Sequence, residues 1–199
     1  MRYILFNKPL NTLCSFSDPE GRETLKAYIN IPDIYSAGRL DYDSEGLLLL
    51  TDDGSLIHRL TDPRHHLAKT YLVQVEGLIT PEALARMEKG VTIQGYQTQP
   101  CTAETADDPG FWPRRKAITP HAPPSWVRLK LDEGKKRQIR HMTAAVGFPT
   151  LRLVRVAIGP LELGSLAPGE WRELDAGELN MLKKLTQPAR FSPRPKRRP

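Results

Sequence analysis

Gly38-Arg39-Leu40-Asp41-Tyr42-Asp43-Ser44-Glu45-Gly46-Leu47-Leu48-Leu49-Leu50-Thr51-Asp52-Asp53-Gly54 decides how the rest of the chain is read. An unbroken leucine run bounded by Gly46 and the Asp53-Gly54 turn predicts a buried strand. The acidic segment before it is then a loop entering the interior, with Asp41 at the rim. A carboxylate held there is partly desolvated, which is where a reactive aspartate belongs. On spacing alone, an ordinary polar turn accounts for the same residues.

Working outward, residues 2–7 predict a first strand and residues 23–29 a short helix after the Asp18-Pro19-Glu20-Gly21 turn. A helix capped by Ser55 ends near Asp62-Pro63. Residues 71–76 form a strand with Tyr71, Val73 and Val75 on one face. Thr80-Pro81-Glu82 starts a helix that stops at Gly90, and strands follow around 91–94 and 99–105. Between 107 and 125 the chain is proline-rich and loses its periodicity, so it predicts a loop, with Arg114, Arg115 and Lys116 inside it. Trp126 to Leu131 alternates as a strand, Gly134 precedes a helix that stops at Gly147, and 177–185 predicts a last helix. No repeat and no regular βα alternation is present. The fold class is therefore α+β.

In the helix after Gly134, Ile139, Met142 and Val146 fall at i, i+3 and i+7 and predict its buried stripe, while Lys136 and Arg140 lie one turn apart on a neighbouring face. Arg140 thus borders the core and needs a carboxylate. Tyr71, at the start of its strand, reads from spacing as a core or rim residue with its hydroxyl in water.

The net charge of +6 calls for an acidic partner. Much of it comes from Arg190, Arg194, Lys196, Arg197 and Arg198, which lie in residues 189–199 among three prolines and one phenylalanine. Residues 186–199 are accordingly expected to be a disordered basic tail beyond a body of residues 1–185. Cys14 and Cys101 are isolated and suit neither zinc nor a disulfide framework. His58, His65 and His66 lie among basic residues and do not form a metal set, so no metal is expected. No apolar stretch approaches the roughly 20 residues that span a bilayer, and no secretory signal opens the chain, so a cytoplasmic protein is expected.

Three ordered segments resemble the motifs of the ribosomal RNA pseudouridine synthase family. They are Gly38-Arg39-Leu40-Asp41 with Ser44 to Thr51, then Lys69-Thr70-Tyr71-Leu72-Val73, then Gly134-Lys135-Lys136-Arg137-Gln138-Ile139-Arg140-His141-Met142. Residues 147–159 and 168–172 are similar too. The resemblance implies a mixed, mainly antiparallel sheet with flanking helices in two lobes around a cleft, the lobe boundary lying near 62–70. It implies isomerisation of a uridine to pseudouridine in RNA, without a cofactor. Asp41 becomes the essential carboxylate and Arg140 its partner, keeping it ionised, while Tyr71 stacks on the target base and is placed to accept a proton. Arg39, Lys69, Lys136 and Arg137 become RNA contacts, and Leu153 packs against the base. Asp43 and Glu45 receive no chemical role, so their amides should cost far less turnover than that of Asp41. The chain opens on residues matching the start of the catalytic domain, as in the branch without an appended RNA-binding domain. That branch implies large-subunit ribosomal RNA as partner, and a monomer is expected.

Two other readings use the same residues. A non-enzymatic RNA-binding or ribosome-assembly protein would need only the basic tail and loops. A glycoside hydrolase would pair Asp41 with Asp43 or Glu45 as acid and base, but Trp112, Trp126 and Trp171 are all remote in sequence from the acidic loop.

Overall fold

Four consecutive leucines need cover on both faces, and the fold supplies it from two sides. The computed structural model describes residues 1–62, 67–114 and 116–186. Its strands are β1 (Tyr3–Lys8), β2 (Tyr35–Ser36), β3 (Glu45–Thr51), β4 (Lys69–Val75), β5 (Thr92–Ile93), β6 (Tyr96–Gln97), β7 (Thr102–Ala106), β8 (Ser125–Leu131), β9 (Thr150–Ile158), β10 (Leu161–Glu162) and β11 (Trp171–Glu173). Its helices are α1 (Gly54–Thr61), α2 (Pro81–Glu88), α3 (Gln138–Ala145) and α4 (Ala176–Leu185).

Among the described residues one sheet runs in the order β11-β1-β3-β9-β4-β8-β7, with β2 on β3 and β10 on β9, while β5 and β6 form a separate hairpin. All pairings are antiparallel except β3 with β9, which meet only at Glu45 opposite Val154 and Gly46 opposite Arg155. Every residue of β1 and β3 is buried. Leu47 and Leu49 face a cluster completed by Leu56 and Leu60 of α1 and Leu182 of α4. Leu48 and Leu50 face Leu25, Ile29 and Ile34 on the other side. Beyond the β3–β9 seam, Val73, Val75, Val127, Leu129 and Leu153 carry a further cluster capped by α2 and α3. Ile139 and Met142 of α3 and Val146 at its C-cap belong to it, as the periodicity predicts.

The departures have local causes. Residues 23–29 give only a 3-10 turn at Leu25–Ala27, because Leu25 N–H bonds to Ser15 and Leu13 N–H to Glu23, drawing the segment into tertiary pairing. Asp53, not Ser55, caps α1: its carboxylate accepts from Leu56 N–H at 3.0 Å and from the Ser55 hydroxyl at 2.7 Å. The helix after Gly134 begins only at Gln138, its N-cap Arg137 having φ 53°, so Lys136 lies outside it. The expected lobe boundary falls partly on residues 63–66, and the basic tail beyond Thr186, His65, His66 and Arg115 also lie outside the described residues.

Candidate active site

The loop carrying Asp41 is tied down on both sides. Ahead of it, Leu40 N–H donates to the Cys14 sulfur at 3.3 Å and the thiol donates back to the Leu40 carbonyl at 3.4 Å. Behind it, the Tyr42 carbonyl accepts from Asn11 N–H at 2.9 Å and from Lys8 Nζ at 3.5 Å. Ser44 N–H closes a turn on the Asp41 carbonyl at 3.0 Å. The half-buried Asp41 carboxylate itself has no hydrogen bond or ion pair among the described residues. A rigid backbone thus presents an uncommitted carboxylate.

Lys8 is fully buried, and its ammonium also donates to the Thr12 carbonyl at 2.8 Å and the Pro9 carbonyl at 2.9 Å. Burial pushes its pKa down from 10.5 to about 8, with the thiol of Cys14 and the carboxylates of Glu45 and Asp43 opposing. The unfolded chain therefore binds more protons between these two values, so the penalty is fully present below pH 8 and is relieved as pH rises towards 10.5. Measured by urea unfolding, wild type is expected to gain stability relative to Lys8→Met across that window. A difference that stays flat with pH would contradict the burial of a charged Lys8.

Arg140 was expected to pair with Asp41, and the structure corrects this. Its Nη2 donates to the Asp43 carbonyl at 2.7 Å and lies 3.3 Å from the Asp43 carboxylate. Asp43 also takes a bidentate pair from Arg137, both bonds 2.9 Å. Burial opposes ionisation of Asp43, but the bonds from Arg137 and the charge of Arg140 outweigh it and hold the carboxyl below its ordinary range. Arg137 is therefore spent on Asp43 in this structure rather than open to a phosphate. Glu45 is buried between Arg114 at 2.9 Å and Arg152, which grips it at 2.9 and 3.1 Å. Arg152 also donates to the Trp112 carbonyl at 3.2 Å, fastening the proline-rich loop to the seam. An amide at Asp43 or Glu45 thus carries a cost in stability that the sequence did not disclose, since each exchange strips a carboxylate from two arginines. Arg114 likewise points inward, not towards solvent. A two-carboxylate hydrolase site is absent among the described residues, because both companions of Asp41 are committed to cations.

Gly46 has φ 102°, and a Cβ there would lie 2.7 Å from Arg155 N, so only glycine lets β3 approach β9. Arg155 in turn pairs with Tyr71 of β4. Tyr71 is consequently two strands, about 10 Å, from the start of the strand that follows Asp41. It is half-buried and packs against the cluster that contains Leu153. Leu153 is 5% exposed and opposite Val73, which makes it core rather than a wall open to a base. Lys69, two residues before Tyr71, has its pKa lowered by burial and then by Arg155. Arg39 is exposed and lines a hollow of about 400 Å³ with Leu13, Cys14, Ser15, Ser36 and Thr61. Lys136 is exposed in the turn before α3, beside Lys135, whose ammonium lies 3.5 Å from the Tyr96 ring centre. Arg155 and Lys8 escaped the sequence reading, since a cation in a strand carries no local mark of its neighbours.

Residues 2–145 match the RNA pseudouridylate synthase family. The chain is 46% identical over 175 residues to ribosomal large subunit pseudouridine synthase E of Vibrio parahaemolyticus, covering 87% of this chain and 74% of that one. The protein of the same name from Xanthomonas campestris is 49% identical over 178 residues, covering 87% and 95%. A crystal structure of a pseudouridylate synthase superposes with a TM-score of 0.78 at 35% identity, covering 91% of this chain and 73% of that one.

Proposed function

Because the chain belongs to the RNA pseudouridylate synthase family, and is an isomerase acting on uridine in RNA, we propose that its substrate is a uridine of large-subunit ribosomal RNA and that Asp41 is the essential carboxylate. The large-subunit assignment is supported by the names of the two relatives at 46% and 49% identity. The observation that supports the role of Asp41 is its carboxylate: the backbone around it is pinned by Leu40 and Tyr42, yet among the described residues it makes no hydrogen bond or ion pair.

The reaction breaks the bond between ribose and uracil nitrogen, turns the base, and joins a ring carbon to the ribose, that carbon losing its proton. Neither an electron donor nor a group donor enters the balance, which agrees with the reading of a cofactor-free enzyme. Attack on the ribose, attack on the base and deprotonation of the sugar all require a charged Asp41 beside the glycosidic bond. Asp43 acts by holding Arg140 nearby, so its cation supports that charge without covering the carboxylate. Tyr71 supplies the stacking surface for a uridine that has left the RNA helix. Arg39, Lys69 and Lys136 serve as RNA contacts, and Arg137 joins them only by releasing Asp43. The clusters on either side of the β3–β9 seam are read as the two lobes. A monomer working in the cytoplasm completes the proposal.

The direct test is an unmodified large-subunit transcript tritiated at the uracil carbon that becomes linked to ribose. Isomerisation releases that tritium to water. Purified protein is expected to release it from the large-subunit transcript and not from a small-subunit one. Release from the small-subunit RNA alone would overturn the substrate assignment, and none from either would overturn the function.

A further inference from the structure

Arg155 is a buried cation without an anion. It is 5% exposed, and among the described residues no carboxylate lies within ion-pair distance of it. Its Nε donates to the Leu47 carbonyl at 2.8 Å, whereas its Nη2 is buried with no partner. Arg114, Arg137, Arg140 and Arg152 each reach a carboxylate. The surroundings of Arg155 add to its cost, because Lys69 and Lys8 both feel its charge as a like-sign neighbour. Asp132 acts on Lys69, and Asp43 and Glu45 act on Lys8. An uncompensated guanidinium at such a position destabilises the free protein unless a ligand completes it.

Its place in the sheet identifies that ligand. Arg155 stands opposite Gly46 on one side and Tyr71 on the other, between the strand that follows Asp41 and the proposed stacking surface. Directly paired residues share a face, so Arg155 and Tyr71 project together. Lys69, two residues earlier on β4 and beyond a register shift, still feels the charge of Arg155.

We infer that Arg155 anchors the substrate by donating its unpaired N–H to a phosphodiester oxygen of the target nucleotide after that nucleotide leaves the RNA stack. This rests on the synthase reading above. A neutral uracil carbonyl would satisfy one N–H but leave the Arg155 charge without an anion, whereas a phosphate answers both needs. Because Arg155 is buried, a phosphate on an intact duplex cannot reach it, and the contact forms only in the flipped state. It therefore contributes to turnover more than to overall RNA affinity, which the exposed cations supply.

The test uses the full chain carrying Arg155→Met, which keeps volume and removes the charge. The rate at saturating RNA is expected to fall at least about thirtyfold while the RNA dissociation constant stays within about threefold. The melting temperature should not fall, since the change removes an uncompensated buried charge. Inorganic phosphate, compared with chloride at equal ionic strength, should raise the melting temperature of wild type and not of Arg155→Met. A near-normal saturating rate would overturn the inference. An unchanged phosphate increment with a lost rate would also overturn it, pointing to the uracil carbonyl or to a structural role. If the Met variant does not fold, Arg155→Lys decides: it should keep the phosphate increment and lose rate, and loss of neither sinks the idea. Failure of wild type to release tritium would instead strike the synthase reading, independently of the phosphate result.

Discussion

Asp41→Asn is expected to abolish pseudouridine formation, lowering the single-turnover rate by at least about 10³-fold, the scale on which loss of a reacting charge is felt. Asparagine keeps the shape of the side chain. Among the described residues the Asp41 carboxylate makes no hydrogen bond or ion pair, so the exchange breaks no contact and the melting temperature should hold. Affinity for RNA should stay within a few-fold, because phosphate contacts elsewhere supply it. Asp43→Asn makes the contrasting case. The depressed carboxyl of Asp43 contributes stability that is present above its unfolded pKa of 3.8 and lost as pH falls through the lower folded value. Its amide should therefore lower stability at neutral pH and flatten acid unfolding. Substantial turnover by Asp41→Asn, or equal thermal losses in the two variants, would contradict these separate roles.

Gly46→Ala should be the most damaging substitution for the fold. The new Cβ meets the Arg155 carbonyl and lies 2.7 Å from Arg155 N, and both are backbone atoms that cannot swing aside. The φ of 102° adds strain for any side chain. Gly46 also sits in the two-residue contact that joins β3 to β9, so relief requires parting the sheet at its seam. A loss of at least about 3 kcal/mol is expected, beyond what backbone strain alone costs. Gly38→Ala is the control, for its φ of 93° carries similar strain but nothing lies within 4 Å of the added Cβ. Calorimetric unfolding of the two separates close approach from conformation. Equal, small losses would mean that β3 and β9 do not meet as described.

What the sequence disclosed and what it hid follow from range. The leucine run, the stripe of Ile139, Met142 and Val146, and the Thr80-Pro81 helix start are local patterns, and each appears where its period or cap predicts. The loop that carries Asp41 into the buried strand was legible because the motif containing it is continuous. The committed carboxylates were not legible: Arg137 reaches Asp43 across 94 residues and Arg152 reaches Glu45 across 107, and no period records such a meeting. The helical pattern said only that Arg140 needs a carboxylate and the resemblance supplied Asp41, while the turn at Asp41–Ser44 offers it Asp43 instead. The short 3-10 turn at Leu25–Ala27 failed for the same reason, its hydrogen bonds being partly spent on distant backbone.

Pseudouridine mapping across ribosomal RNA from cells lacking this protein, complemented by either wild type or Asp41→Asn, decides whether Asp41 carries out the modification. A large-subunit uridine is expected to lose its modification in the deletion strain, regain it with wild type, and stay unmodified with Asp41→Asn at equal protein level. An unchanged large-subunit map in the deletion strain, or restoration by Asp41→Asn, would contradict it.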